Sequence, residues 1–136
     1  MSDAQVTEEP NATATAPAGA ATAPVYTQGG IQRTLLHKID YSDDCLVNTS
    51  IIEVPAGTSA SPHTHPGLEI GYVIGGQFYL CVEGQPDQYH PLGSSYAVPG
   101  DAVHYARVPG PEPLKVLCVF VIDKSRPLAT VERAAP

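Results

Sequence analysis

Three histidines and one glutamate in this sequence are of types that could bind a metal ion together. His63 and His65 are separated by a single residue, Glu69 follows shortly after them, and His104 lies much further along the chain. Imidazole nitrogens and carboxylate oxygens are ligands that suit a divalent transition metal. We therefore take these four side chains as candidate ligands of one divalent ion. Imidazole and carboxylate accept iron, manganese, nickel, copper and zinc alike, so the ligand types leave the metal's identity open.

The spacing of these residues favours strands over a helix. Residues two apart in a β-strand project from the same face, whereas on a helix they point about 200° apart. His63 and His65 can thus reach one ion from a strand, and the turn-like Pro66-Gly67 lets the chain double back so that Glu69 arrives from an adjacent strand. His104 has to come from a strand that is distant in sequence. This arrangement is typical of a site assembled inside a β-barrel.

The residues around the first histidine pair resemble the first cupin motif. That motif reads glycine, five residues, His-x-His, three residues, Glu, six residues, glycine, and Gly57, His63, His65, Glu69 and Gly76 fill every defining position. The resemblance covers roughly residues 31–127. It implies a jelly-roll barrel with a metal centre, and it leaves the reaction open because cupins host many chemistries on one scaffold.

A second stretch matches the second cupin motif less completely. Gly93 and Pro99 precede His104 at the expected places, while the usual second glycine is displaced to Gly100 and the terminal asparagine is replaced by Val108. The resemblance thus keeps the metal-binding histidine and departs from the family pattern in the turn before it.

The pattern from Ile31 onward is that of short strands punctuated by Pro, Gly, Asp or Asn. The predicted strands are Ile31–Tyr41, Cys45–Val54, Leu68–Ile74, Gln77–Val82, Ser94–Val98, Ala102–Val108 and Leu114–Ile122. Gly75-Gly76 is interpreted as a hairpin signal, and no segment has a sustained helical period. We predict an all-β fold, which the resemblance specifies as an antiparallel cupin-type jelly-roll β-barrel. An Ala/Thr/Pro-rich flexible tail over residues 1–28 should precede the barrel domain of residues 29–136.

Composition narrows the classes of partner. The chain has 136 residues, a net charge of −7 and only seven basic residues, which argues against nucleic acid and anionic membranes and for a small-molecule substrate. The cysteines Cys45, Cys81 and Cys118 lie far apart in apolar runs and are interpreted as small buried hydrophobes of a reducing compartment. Without a positively charged signal segment or a transmembrane-length apolar run, we expect a cytoplasmic protein. By analogy with other cupins, we expect a homodimer.

Strand parity gives a sketch of the pocket. If the ligands point inward, small and apolar side chains share their face: Gly71, Val73, Ala102, Ala106, Val116, Cys118 and Phe120. Tyr72 and Tyr105 then point outward. The predicted lining contains few acid or base groups besides Glu69, so that the chemistry would depend on the ion itself.

Three functions are consistent with this site. The first is a metal-dependent oxygenase like those of the quercetin-dioxygenase-like small cupins. Four ligands on a six-coordinate ion would leave two positions for a diol, an enol or a keto acid, or for substrate plus O₂. Glu69 is the candidate catalytic base if it detaches from the ion. The alternatives are a lyase or isomerase that stabilises an enolate, and a module that binds a small ligand without altering it.

Overall fold

The β-rich runs of the sequence form strands in the computed structural model, which describes residues 23–136. The described residues contain twelve strands: β1 Val25–Gln28, β2 Ile31–Asp40, β3 Cys45–Val54, β4 Thr58–Ser59, β5 His63–Thr64, β6 Gly67–Gly75, β7 Phe78–Val82, β8 Gln88–His90, β9 Ser95–Val98, β10 His104–Val108, β11 Leu114–Asp123 and β12 Thr130–Val131. Within residues 23–136 there is no helix with the length and apolar character that crossing a membrane requires.

The strands form two antiparallel sheets that face each other. One has the order β1-β2-β3-β11-β6-β9, and the other has the order β12-β5-β10-β7-β8, with β4 also paired to β10. Neighbours in space are mostly distant in sequence, as in β3 beside β11, and this arrangement is typical of jelly-roll connections. The predicted all-β jelly-roll fold is confirmed.

The core lies between the two sheets and follows the two-residue period of the strands. Along β11 the side chains alternate, with Val116, Cys118 and Phe120 buried and Lys115 and Leu117 exposed. This is the orientation that strand parity predicted. Burying an aliphatic or aromatic side chain of this size stabilises the fold by about 1.5–3 kcal/mol.

The Gly75-Gly76 pair does not form the predicted hairpin. Strand β6 pairs with β11 and β9, whereas β7 pairs with β10 and β8, so the chain crosses from one sheet to the other at this point. Gly76 has a φ of +70°, and a Cβ atom there would lie 2.3 Å from the carbonyl oxygen of Pro113. Glycine is required at this corner by the close approach of another backbone segment.

Strand β1 extends the barrel into the segment that the sequence analysis assigned to the tail. Val25–Gln28 pair with the start of β2, and the turn between the strands holds Gly29 and Gly30 at φ values of +59° and +80°. Positive φ at both central residues matches the two-residue hairpin turn whose twist suits antiparallel strands. The domain therefore begins before residue 29, and residues 1–22 of the predicted tail lie outside the described residues.

The outer face of the sheet that contains β6 and β11 exposes large apolar side chains. They come from β6 and β11 and are 37–49% exposed: Leu68, Ile70, Tyr72, Ile74, Leu117 and Val121. A contiguous apolar patch of this kind suits contact with another protein. The homodimer stays a prediction, which the sedimentation mass of the 14.3 kDa chain can test.

Candidate metal centre

The structure brings the four candidate ligands together from both sheets. His63 lies in β5 directly opposite His104 of β10, and His65 follows β5 in an extended segment. Glu69 comes from β6 in the other sheet, beyond the corner at Pro66-Gly67. All four residues are at most 5% exposed.

The geometry of the cluster fits a single ion. The ligand nitrogens of His63, His65 and His104 lie within 4.8 Å of one another. Glu69 Oε1 lies 3.1 Å from His65 Nε2 and 3.2 Å from His104 Nε2. Small side-chain movements would bring each of these atoms to about 2.1 Å from a shared ion, the distance at which imidazole nitrogen and carboxylate oxygen bind a transition metal.

Backbone carbonyl groups determine which nitrogen of each ring faces the centre. The Nδ1 atoms of His63, His65 and His104 lie 2.7, 2.7 and 2.8 Å from the carbonyl oxygens of Ser61, Leu128 and Ala102 respectively. Because a carbonyl oxygen can only accept a hydrogen bond, each Nδ1 carries a proton and donates it. In the neutral ring the lone pair is then on Nε2. This is the orientation that metal-ligating histidines adopt in proteins.

The contact between Glu69 and two of these rings indicates the need for a positive charge. In the neutral form, the Nε2 atoms of His65 and His104 and the Oε1 atom of Glu69 are all acceptors, yet they lie at hydrogen-bond distance. Acceptors held this close repel unless a proton or a cation lies between them. A divalent ion satisfies all of them at once, so the residues present fit the group.

Two further side chains hold the other oxygen of Glu69. The hydroxyl of Tyr96 donates to Glu69 Oε2 at 2.8 Å, and the thiol of Cys118 lies 3.4 Å from the same oxygen. These contacts leave Oε1 to face the histidines. Burial and the neighbouring Glu69 carboxylate raise the pKa of Tyr96 well above its usual value, so the phenol keeps its proton. The Cys118 thiol was predicted only to pack in the core, and the structure also places it in contact with the Glu69 carboxylate.

The predicted lining of the pocket was incomplete. Tyr96 on β9 and Arg33 on β2 also face the cavity. Strand parity did not predict them because it started only from the four candidate ligands and from β11. The sequence held one signal for Tyr96. Gly71 lies opposite Tyr96 in the sheet, and a Cβ atom on Gly71 would lie 2.4 Å from the tyrosine ring. An inward-facing glycine in a strand thus marked the place where a large ring enters.

Burial and hydrogen bonding set the charges of the site. Burial, together with His104 and His65, lowers the pKa of His63 to about 3. For Glu69, burial alone would raise the pKa, but with a proton between its carboxylate and the rings of His104 and His65 these contacts hold the pKa well below its usual value. At neutral pH the centre therefore offers a neutral His63 ring and an anionic carboxylate, as a cation site requires.

The metal-free protein should lose stability as the pH falls. His63 in the unfolded chain takes up a proton near its usual pKa of 6.5, whereas the folded chain resists protonation until about pH 3. Its contribution is therefore fully present above 6.5 and declines as the pH falls below that value. From pH 7 to 4.5 the free energy of unfolding should fall by about 2–3 kcal/mol on account of His63. Urea titrations of wild type and His63→Gln should show this difference, and the exposed His37→Gln variant should behave as wild type. Equal pH slopes in all three would contradict it.

Replacing Tyr96 with phenylalanine is expected to weaken metal binding about 10- to 100-fold. The change removes the hydroxyl that orients Glu69 and leaves the ring in place. Zinc affinity measured by competition with a chelator tests this expectation. Tyr72→Phe is the matched control because Tyr72 lies on the outer face of β6 and is 49% exposed. If the two variants bind zinc equally well, Tyr96 does not support the ligand.

The space at the histidines is small, and the larger space lies outside it. The inner cavity measures about 30 Å³ and is lined by the four candidate ligands together with Arg33, Tyr96 and apolar side chains. That is enough for an ion and about one water-sized group. A second space, of about 530 Å³, is open to solvent and also has Arg33 in its wall. The space beside the ion therefore holds only a small group, and the larger spaces lie outside it.

Comparison with solved structures gives the same fold. The chain is similar to the DMSP lyase DddQ from Ruegeria pomeroyi, with 19% identity and a TM-score of 0.67 over 84% of this chain and 62% of that one. It is similar to a cupin-like protein from Thermotoga maritima, with 20% identity and a TM-score of 0.65 over 79% of each chain. A mutant oxalate decarboxylase from Bacillus subtilis matches with 20% identity and a TM-score of 0.61, over 79% of this chain and 29% of that one.

Comparison at the level of sequence identifies the family. No curated protein matches the chain. The cupin domain family matches residues 50–120, which include all four candidate ligands and more than half of the sequence. The chain therefore belongs to the cupin domain family, as its two motifs indicated.

Proposed function

We propose that this protein is a mononuclear metal-dependent enzyme that acts on a small molecule at the mouth of its barrel. One observation carries the proposal. Three Nε2 atoms and one carboxylate oxygen converge in a buried space, with each Nδ1 proton already donated to a backbone carbonyl. An arrangement of acceptors without a donor at its centre suits a cation.

The residues around that ion would have two different roles. His63, His65, His104 and Glu69 would hold it, and Tyr96 keeps the carboxylate in position. When bound, the ion would supply Lewis acidity, activation of a bound water molecule or a template for substrate and O₂. Apolar side chains of the inner cavity exclude bulk water from the centre, which strengthens every electrostatic interaction there.

Oxygenation of a diol, an enol or a keto acid is the reaction that the site supports best. The low pKa of Glu69 makes it a good ligand and a weak base at neutral pH. Tyr96 holds its proton in the hydrogen bond to Glu69. With both groups committed in this way, the reaction has to depend mainly on the ion. The catalytic role of Glu69 as a detached base stays a prediction.

A lyase or isomerase that acts through an enolate is the second candidate. The observation that favours it is the Tyr96–Glu69 hydrogen bond, since a phenol proton shared with a carboxylate could be relayed when Glu69 leaves the ion. Two of the structural relatives are a lyase and a decarboxylase, and they share the fold with this chain.

Metal analysis followed by oxygen-electrode measurements separates these functions. Protein reconstituted with iron or manganese should bind about one equivalent and consume O₂ with catechol or pyruvate, while His104→Ala should do neither. Full turnover without O₂ would overturn the oxygenase and favour the lyase or isomerase. Failure to bind any metal after reconstitution would overturn the enzyme and favour a binding module.

A further inference from the structure

Arg33 is a buried cation without a fixed partner. It lies on β2 and is 5% exposed, and its Nε atom has no hydrogen-bond partner among the described residues. Within residues 23–136 no carboxylate lies within ion-pair distance of its guanidinium group. A buried charge that is neither paired nor fully hydrogen-bonded destabilises a fold by several kcal/mol, so its retention needs a reason.

The position of Arg33 supplies a reason. Arg33 is shared by the wall of the inner cavity, which contains the histidines, and by the wall of the outer cleft. Glu69 is close enough for its negative charge to act on the guanidinium. A molecule that fills the cleft and reaches toward the metal centre must pass this group.

The cleft concentrates the basic residues of an acidic chain. The sequence has seven Lys and Arg residues, and four of them line this cleft: Arg33, Lys38, Lys124 and Arg126. Two of the four have surface partners, because Lys124 lies 3.7 Å from Asp40 and Arg126 lies 2.6 Å from Asp101. The cleft can therefore attract an anion by its charge. Neither Arg33 nor Lys38 has an ion-pair partner among the described residues, and Arg33 is the buried one of the two.

We propose that the substrate carries a carboxylate, that Arg33 binds this carboxylate, and that an adjacent oxygen of the substrate reaches the metal centre. This rests on the proposed function and narrows its substrates to 2-oxo or 2-hydroxy acids. The planar guanidinium can donate from Nε and one Nη side by side to the two oxygens of a carboxylate. The inner cavity accommodates only the reacting end of such a molecule, and the rest occupies the outer cleft.

Part of the polar wall of the cleft is oriented before anything binds. Asn48 and Ser50 on β3 also line the cleft, and both are buried. The Ser50 hydroxyl donates to Asn48 Oδ1 at 2.7 Å, which leaves the Asn48 amide nitrogen available as a donor. These groups suit an oxygen-rich ligand better than a hydrocarbon one.

The test compares a carboxylate probe with its neutral amide. Glycolate and glycolamide have the same size and hydroxyl group, and only glycolate is charged at neutral pH. Both are titrated calorimetrically into zinc-loaded wild type, Arg33→Gln and Arg133→Gln, after the zinc content of each has been measured. Arg133 is the matched control because it is exposed and paired with Glu83 at 3.5 Å, away from both cavities.

Arg33→Gln should bind glycolate at least about 30-fold more weakly than wild type and glycolamide with unchanged affinity. Arg133→Gln should match wild type with both probes. Arg33→Lys keeps the positive charge and loses the planar pair of donors. It should retain zinc and bind glycolate with intermediate affinity, even if Arg33→Gln does not fold. Equal binding of glycolate by wild type and both Arg33 variants, at full zinc content, would overturn the role of Arg33 and leave the metal centre standing. If wild type fails to bind zinc, the proposed function fails, and the same titrations on metal-free protein still test Arg33.

Discussion

Replacing His104 with alanine should lower the bound metal from about one equivalent per chain to less than about a tenth. His104 is one of three imidazoles in the cluster, and its Nε2 atom lies 3.2 Å from Glu69 Oε1. Its removal leaves two imidazoles and a carboxylate, one ligand fewer than the cluster provides. Loss of a supporting contact alone weakens metal binding 10- to 100-fold, so loss of a ligand should exceed about 100-fold. Elemental analysis after dialysis measures the content, and chelator competition measures the affinity.

His90→Ala is the control for this experiment. The His90 ring stacks on Phe78 and hydrogen-bonds to Ser94, so the substitution also removes a half-buried imidazole from a strand of the same sheet. It should leave the metal content unchanged. Circular dichroism should show the same strand content in both variants. A His104→Ala protein with undiminished metal affinity would mean that the ion, if bound, lies elsewhere.

Replacing Gly67 with alanine should destabilise the protein by at least about 3 kcal/mol and weaken metal binding as well. A Cβ atom on Gly67 would lie 2.1 Å from the carbonyl oxygen of Val121 and 2.7 Å from Ile122 Cα. Both atoms belong to the backbone of β11, which is held by β3 on one side and β6 on the other. Because hydrogen bonds to both neighbouring strands hold β11 in place, β6 would have to move, and Glu69 would move with it. Urea unfolding and zinc titration measure the two effects.

Gly100→Ala provides the comparison for Gly67→Ala. Gly100 faces Gly67 across the same corner, but a Cβ atom there would be 3.4 Å from its nearest neighbour, an ordinary contact. We expect a change below about 1 kcal/mol and unaltered zinc affinity. Comparable losses in both variants would show that this corner is sensitive to any added atom and that the approach of Gly67 to β11 is not special.

The sequence was sufficient for the fold because several independent signals agreed. Alternation along β11 predicted which of its side chains face the core, and the first cupin motif predicted the barrel. The short strands Thr58–Ser59, Gln88–His90 and Thr130–Val131 were missed, since two or three residues are too few to show a period. The Gly75-Gly76 corner was mistaken for a hairpin because a glycine pair signals a turn without showing which sheet the next strand joins.

For the site, the sequence predicted the ligand types and missed what surrounds them. The spacing of His63, His65 and Glu69 is local and therefore visible in the chain. Arg33 and Tyr96 come from strands that hold none of the four candidate ligands, and only the pairing of β2 with β3 and of β6 with β9 places them at the cavity. Which carbonyl groups hold the Nδ1 atoms depends in the same way on tertiary structure.

The hydrogen bond from His65 to Leu128 makes the last stretch of the described chain part of the candidate metal centre. Leu128 follows β11, and strand β12 just beyond it pairs with β5 so that Val131 lies opposite His63. A clip of residues 128–131 therefore braces two ligands from outside the motif that contains them. Cleavage or displacement of this clip would free the His65 ring to rotate and to change its tautomer. A design that transfers the four candidate ligands to another barrel would therefore need to include the clip of residues 128–131.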